Sequence, residues 1–270
     1  MRIALLYGGR SGEHEVSLAS AASVVRNADQ KHKLVLIGIT KDGVWKLQPD
    51  SVRDDALLGS GPLALRTDCP DVLVAPGAGL RAVSAHGAST VHADVVFPVL
   101  HGTFGEDGTV QGLLECAGLP YVGASVTGSA LGMDKDLAKE LWRHAGLPVL
   151  PSVTLRPADR QRLSEILEEC RQSLGWPVFV KPCRTGSSVG ASAVRDSSAF
   201  AAAVEDAFRY DSKVLIEPLV QAREIECSVI GNDKPRAFEP GEVAPTHDFY
   251  DYDAKYIDPD GAALIIPADI

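Results

Sequence analysis

Apolar residues fall in short unbroken runs separated by stretches where they recur every three or four positions, a pattern of strands and helices taking turns along the chain. In the first third, residues 3–7, 34–39, 71–74 and 94–100 read as strands and 16–27 as a helix. Thr109 is placed as the N-cap and Gly118 as the residue just past the end of a short helix carrying Val110, Leu113 and Leu114, with a strand at 119–122 behind it. A second unit starts at Ala124, with a helix at 135–144, a strand at 148–155 and a helix at 159–174. That last helix sets Leu163, Ile166, Leu167, Cys170 and Leu174 on one stripe, so it should lie on a sheet. Strands follow at 176–181 and 191–194 around a loop at 182–190, then a helix at 197–208 and a strand at 214–217. Residues 224–230 alternate Ile225, Cys227 and Val229 against Glu224, Glu226 and Ser228, which predicts one further strand. Residues 246–260 are polar and aromatic, a loop, and 263–270 read as an apolar strand. The fold class expected is α/β.

Composition narrows the partners. With 26 Lys+Arg against 36 Asp+Glu the net charge is −10, which argues against a general binder of nucleic acid or of anionic membranes. A few well-placed lysines can still hold one phosphorylated small molecule. No apolar run approaches the roughly 20 residues of a spanning helix. The five cysteines include no Cys-x-x-Cys pair, which fits a reduced compartment and gives no zinc pattern; a cytoplasmic protein is expected.

Several glycine-rich segments carry candidate chemistry. Residues 77–82 match the G-x-G-x-x-A dinucleotide fingerprint, but little room is left for the helix it requires, so a plain turn is expected. Residues 186–190 match the G-x-S-x-G elbow of serine hydrolases with Ser188 as nucleophile, yet a strand rather than a helix is predicted to follow. The same stretch, after Lys181 at a strand end, also reads as an anion loop, and equally as a surface turn beside a solvated lysine. His101 to Gly108 and Gly8 to Glu15 both follow strands, where α/β sheets place ligands. Their acids, Glu106, Asp107, Glu13 and Glu15, either favour a helix N-terminus or hold a substrate ammonium. Glu217 and Glu224 flank a strand-to-loop passage and are surface acids or ligand acceptors.

Together the stretches 6–17, 101–112, 132–135, 180–190, 214–224 and 249–256 resemble the D-alanine–D-alanine ligase family of ATP-grasp enzymes, in the family's order and over nearly the whole chain. The resemblance implies an N-terminal Rossmann-like parallel-sheet domain at 1–123. A two-lobed α+β ATP-grasp module should follow, its central subdomain at 124–217 and its C-terminal one at 218–270. It implies ATP-dependent ligation of two D-alanine molecules through an acyl phosphate, for peptidoglycan precursors, in a homodimer that binds neither nucleic acid nor membrane.

By motif position, Lys135 and Lys181 should contact the nucleotide phosphates, with Ser187, Ser188 and neighbouring amides over the γ-phosphate. Glu217 should meet the adenine side, Glu224 the ribose, and Lys255 the γ-phosphate. Glu13 should bind the ammonium of the first D-alanine, with His101 and Glu106 lining the pocket, and Ser187 and Tyr256 should orient the second. Two Mg²⁺ or Mn²⁺ ions are implied, but the family's metal ligands and an arginine for developing charge would follow Ile270. The expectation is therefore an incomplete second lobe, no metal ligand among these residues, and little or no activity from the 270 residues alone. A catalytically silent nucleotide- or amino-acid-binding homologue, or a serine hydrolase using Ser188, are the other readings.

Overall fold

In the computed structural model, residues 1–245 and 262–270 are described. Backbone packing divides the chain into two compact units, Met1–Leu147 and Pro148–Ile270.

The first unit is built around strand β1 (Arg2–Gly8), which is apolar on both sides because it is covered on both sides. Helix α1 (His14–Asn27) leads to β2 (Lys33–Ile39) and β3 (Trp45–Leu47). Helix α2 (Asp50–Leu58), β4 (Asp71–Ala75), β5 (Gly79–Ser84), β6 (Gly87–Val91) and β7 (Val95–Val99) follow, then helices α3 (Thr109–Cys116), α4 (Val126–Met133) and α5 (Lys135–His144). The seven strands form one sheet in the order β6-β5-β4-β3-β2-β1-β7. Its β2-β1-β7 core is parallel and the rest antiparallel. The period of two sorts β1 between two cores. Ala4 and Leu6 join Ile37, Val96, Val110 and Leu114 on the α3 face, while Leu5 and Tyr7 join Ala21, Val25, Val52 and Leu63 on the α1–α2 face.

The second unit has β8 (Val153–Leu155), α6 (Leu163–Ser173), β9 (Val178–Pro182), β10 (Ser192–Val194), α7 (Phe200–Ala207) and β11 (Val214–Pro218). Its four-stranded sheet runs β10-β9-β11-β8, all antiparallel. The expected stripe on α6 packs as drawn, Ile166 and Cys170 buried and Leu163, Leu167 and Leu174 at the margin, with Phe200 and Val204 of α7 in the same core. Strands β12 (Glu224–Glu226), β13 (Val229–Ile230), β14 (Arg236–Ala237), β15 (Gly241–Pro245) and β16 (Ala262–Ile265) make a three-stranded sheet, β12-β15-β16, and a two-stranded one, β13-β14.

The mixed α/β class agrees with the sequence expectation; the differences are local. Residues 119–122 do not form a strand: Pro120 has no N–H to give, and only a bridge between Val96 and Tyr121 remains. The single strand expected at 224–230 is two short ones, because residues 224–226 pair with β15 while 229–230 pair with β14. Thr109 is the first residue of α3 rather than its cap; Gly108, at φ 90°, stands in that place, and Gly118 closes the far end at φ 70° as expected. The helix expected at 159–174 opens with a 3₁₀ turn at Pro157–Arg162 before α6.

Burial also sorts the cysteines. Cys170 is fully buried, and burial, with a smaller push from Glu169, drives its thiol pKa up to about 12. Cys183 is buried too, whereas Cys116 and Cys227 are exposed. A thiol reagent at pH 8 is expected to label Cys116 and Cys227 in the native protein and to reach Cys170 only after unfolding. Peptide mapping of the labelled chain checks this, and native labelling of Cys170 would contradict the packing of α6.

Candidate active site

Two loops leave the carboxyl ends of adjacent parallel strands in the first unit, where open sheets leave a crevice. The loop after β1 needs glycine at its start: Gly8 has φ 88°, and a side chain there would collide with the Ile39 carbonyl. Ser17 ties the loop down, accepting a hydrogen bond from Gly8 N–H at 2.8 Å and donating to the Val99 carbonyl. His14 Nδ1–H donates to the Gly9 carbonyl at 2.7 Å. The two loops are joined by Ser11, whose hydroxyl donates to the His101 carbonyl at 2.7 Å and accepts from Glu13 N–H at 3.2 Å.

Glu13 is thereby buried, and Gly102 makes room for it: at φ 70°, a Cβ on Gly102 would strike Glu13 Oε2. The His101 ring is held through Nε2 by Ser20 Oγ at 3.0 Å. Gly102 N–H donates to Glu106 Oε2 at 2.7 Å. Much of the Glu106 side chain meets solvent, yet partial burial of its carboxyl raises its pKa; the Gly102 N–H and His101 pull the other way, and the charge of Glu13 adds to the rise. Asp107 is different. Its burial is outweighed by hydrogen bonds from Phe104 N–H at 2.9 Å and Thr109, whose N–H lies at 3.0 Å, so its pKa falls. Asp107 thus supports the loop and the start of α3, the structural role its sequence position allowed. Sequence reading brought Glu13, His101 and Glu106 to one place, and the structure does the same. It missed Ser11, Ser20 and Gly102, which hold them there.

Two cavities border this region. One of about 580 Å³ is lined largely by apolar groups, among them Ile39, Trp45, Phe104 and Leu113, with Arg10 and His101 at its polar side. The Arg10 guanidinium sits 4.7 Å from the centre of the Phe104 ring. The other, about 450 Å³, is lined by Glu106, Gln111, Ser129 and Met133 among others. Lys135 is the first residue of α5, half-buried, just after its cap Asp134, which accepts from Leu137 N–H at 3.2 Å.

In the second unit, alternation along β9 turns Val178 and Val180 into the core and Phe179 and Lys181 to the other face. Lys181 pairs in register with Leu215, and Glu217 lies two residues further along β11 on the same face, so the ammonium and the carboxylate form an ion pair. The side chains are only 21% and 11% exposed. Lys181 Nζ also stands 5.6 Å from the centre of the Phe179 ring. The loop from Cys183 to Gly190 joins β9 to the antiparallel strand β10, and no helix follows Ser188, so the strand-turn-helix setting of a serine-hydrolase elbow is not formed. Ser187 and Ser188 both have positive φ, 46° and 59°, and Val189 N–H donates to the Gly186 carbonyl at 3.1 Å, closing a type I′ turn on two serines. Glu224 is exposed at the start of β12. Lys255 and Tyr256, with the loop expected to carry them, lie outside the described residues. Residues 77–79 close the β4–β5 hairpin with Gly77 and Gly79 at positive φ, which is the turn expected in place of a dinucleotide site. Among the described residues no group of three His, Cys, Asp or Glu side chains is placed to hold a metal ion. No described helix is long and apolar enough to cross a membrane.

Comparison with known proteins agrees with these features. A family model described as D-ala D-ala ligase N-terminus matches residues 2–124, and one described as D-ala D-ala ligase C-terminus matches residues 141–270. The D-alanine–D-alanine ligase of Treponema denticola is 47% identical over 275 residues, covering 100% of this chain and 75% of the relative. D-alanine–D-alanine ligase A of Escherichia coli K12 is 44% identical, covering 100% and 74%. Among solved structures, the D-alanine–D-alanine ligase of Coxiella burnetii superposes with a TM-score of 0.79 at 37% identity over 90% of this chain and 70% of the other. The D-Ala:D-Ser ligase VanG of Enterococcus faecalis does so at 0.82 and 34%, over 100% and 77%. Such identity along the whole chain, on the same fold, makes this protein a ligase belonging to the D-alanine–D-alanine ligase family.

Proposed function

We propose that this protein joins two D-alanine molecules into D-alanyl-D-alanine through an acyl phosphate, at the expense of ATP, in the making of peptidoglycan precursors. The observation that carries the reading is Glu13, a buried carboxylate set against Gly102 where two glycine-rich loops cross at strand ends. A carboxylate so held meets a substrate ammonium with its desolvation already met by the fold.

In this reading Glu13 holds the ammonium of the first D-alanine, with His101 and Glu106 beside it. The carboxylate oxygen of that D-alanine attacks the γ-phosphorus, and ADP leaves. The amine of the second D-alanine then attacks the acyl carbon, inorganic phosphate departs, and the amine nitrogen gives up its proton. Ser187 and Tyr256 orient the second D-alanine, Ser187 as a hydroxyl and not as a nucleophile. Lys135, Lys181 and Lys255 neutralise the triphosphate, Ser187, Ser188 and nearby amides cover its terminal phosphate, Glu217 faces the adenine and Glu224 the ribose. Residues 1–123 serve substrate binding, 124–217 form the central ATP-grasp subdomain and 218–270 belong to the C-terminal one. The protein works in the cytoplasm as a homodimer, with ATP delivered as its Mg²⁺ or Mn²⁺ complex.

D-alanine-dependent phosphate release from MgATP tests the reading, measured on the 270-residue chain and on a C-terminally longer form. The expected result in the longer form is release that requires D-alanine, and there Glu13→Gln should raise the KM for D-alanine about tenfold while ATP affinity stays within about twofold. ATP binding with no D-alanine dependence in the longer form would favour the silent homologue instead. D-serine offered as second substrate separates the dipeptide from the product that VanG's name describes.

A further inference from the structure

Two consecutive serines at positive φ form a backbone that persists only where the surroundings impose it. In the Cys183 to Gly190 loop, one segment, Tyr210 to Lys213, grips both stems. At the exit stem the Tyr210 ring lies so close to Gly190 that a Cβ there would come 2.5 Å from Cδ2, and 3.0 Å from Pro182 Cγ. At the entry stem Cys183 N–H donates to the Lys213 carbonyl at 2.9 Å.

Asp211 sits between them with its side chain only 2% exposed. It accepts from Arg184 N–H at 2.8 Å, from Arg184 Nε at 3.1 and 3.2 Å, from Arg184 Nη2, and from Lys213 N–H at 3.2 Å. Arg184 Nη2 also donates to Ser212 Oγ at 3.0 Å. Burial would raise the Asp211 pKa, but the hydrogen bonds and charge of Arg184 outweigh it and the net shift is downward, so the carboxylate stays ionised. Arg184 is the one charged side chain in the loop. Its fork is turned onto Asp211.

We propose that Asp211 is a positioning residue for triphosphate binding, fixing the Cys183 to Gly190 loop through Arg184 so that the hydroxyls and amides of the turn at Ser187 and Ser188 meet the terminal phosphate. The inference rests on the reading of this loop as the phosphate cover, and Arg184 acts in it as a strut and not as a ligand.

Calorimetric titration of ATP and ADP into wild type, Asp211→Asn and Arg184→Lys tests it. Asp211→Asn is expected to weaken ATP about tenfold and ADP, which lacks the covered phosphate, no more than about twofold. Arg184→Lys, which keeps the charge and loses the fork, should fall between. An unchanged ATP-to-ADP affinity ratio in Asp211→Asn overturns the proposal, even if its thermal midpoint drops, since a purely structural role lowers both ligands alike. Should Asp211→Asn fail to fold, the same ratio in Arg184→Lys decides. Failure of wild type to bind ATP would instead sink the reading of the loop itself, and the proposal with it.

Discussion

Lys181→Met is expected to weaken ATP binding about a hundredfold and to cost about 2 kcal/mol of stability, two effects of one ion pair that a second substitution separates. Lys181 and Glu217 form an ion pair on the non-core face of the β9–β11 pair, and removing the ammonium takes an opposite charge away from a largely buried carboxylate. Glu217→Gln alone leaves an ammonium whose stem remains packed and whose head can still reach solvent, so its stability loss is the smaller. In the double variant Lys181→Met, Glu217→Gln part of the stability returns, because the amide carries no charge for the lost ammonium to offset. The ATP affinity does not return if Lys181 contacts phosphate. Denaturant unfolding and calorimetry on the four proteins of this cycle read the two terms independently. Recovery of ATP affinity along with stability would show that Lys181 serves only the sheet.

Gly102→Ala is expected to lower kcat/KM for D-alanine about a hundredfold if Glu13 holds the substrate ammonium, since a displacement of that carboxylate by about an ångström is enough for that. The added methyl meets Glu13 Oε2, and the backbone at φ 70° disfavours any side chain, adding about 1 kcal/mol of instability. Gly61→Ala, with nothing within 4 Å of the new methyl, is the control and should leave both quantities unchanged. If Gly102→Ala keeps the D-alanine KM while losing stability, Glu13 does not hold the ammonium. ATP affinity should be unaffected, as neither residue is assigned to the nucleotide.

How far the chain could be read without coordinates depended on how strong each local signal is. The α6 stripe and β1 were legible because a helix half-covered by core and a strand covered on both faces write their burial directly into residue type. The hairpin of β5 and β6 was not: Gly87–Val91 is exposed at four of its five positions, so its residues carry little apolar pattern. Helix α2 hid for a similar reason, burying only Val52 and Ala56. In the site, Glu13, His101 and Glu106 could be named from their motifs, since a carboxylate or imidazole in a glycine-rich loop after a strand is chemically conspicuous. Asp211 could not; it is one acid among 36 Asp+Glu, with no motif around it.

The sequence by itself determined the α/β class, the order of the main elements, the family, and the side chains able to carry charge to a substrate, because residue type and short-range spacing encode all of these. Only the tertiary structure decided which of those side chains meet. Lys181 faces Glu217 because the β9–β11 register sets residues 36 positions apart on one face. Glu13 lies on Gly102 because strands β1 and β7 are neighbours in the sheet. Arg184 turns to Asp211 and not outward because a buried carboxylate across 27 residues of chain outcompetes solvent for its fork. Such pairings come from strand register and chain closure, and local sequence holds no record of either.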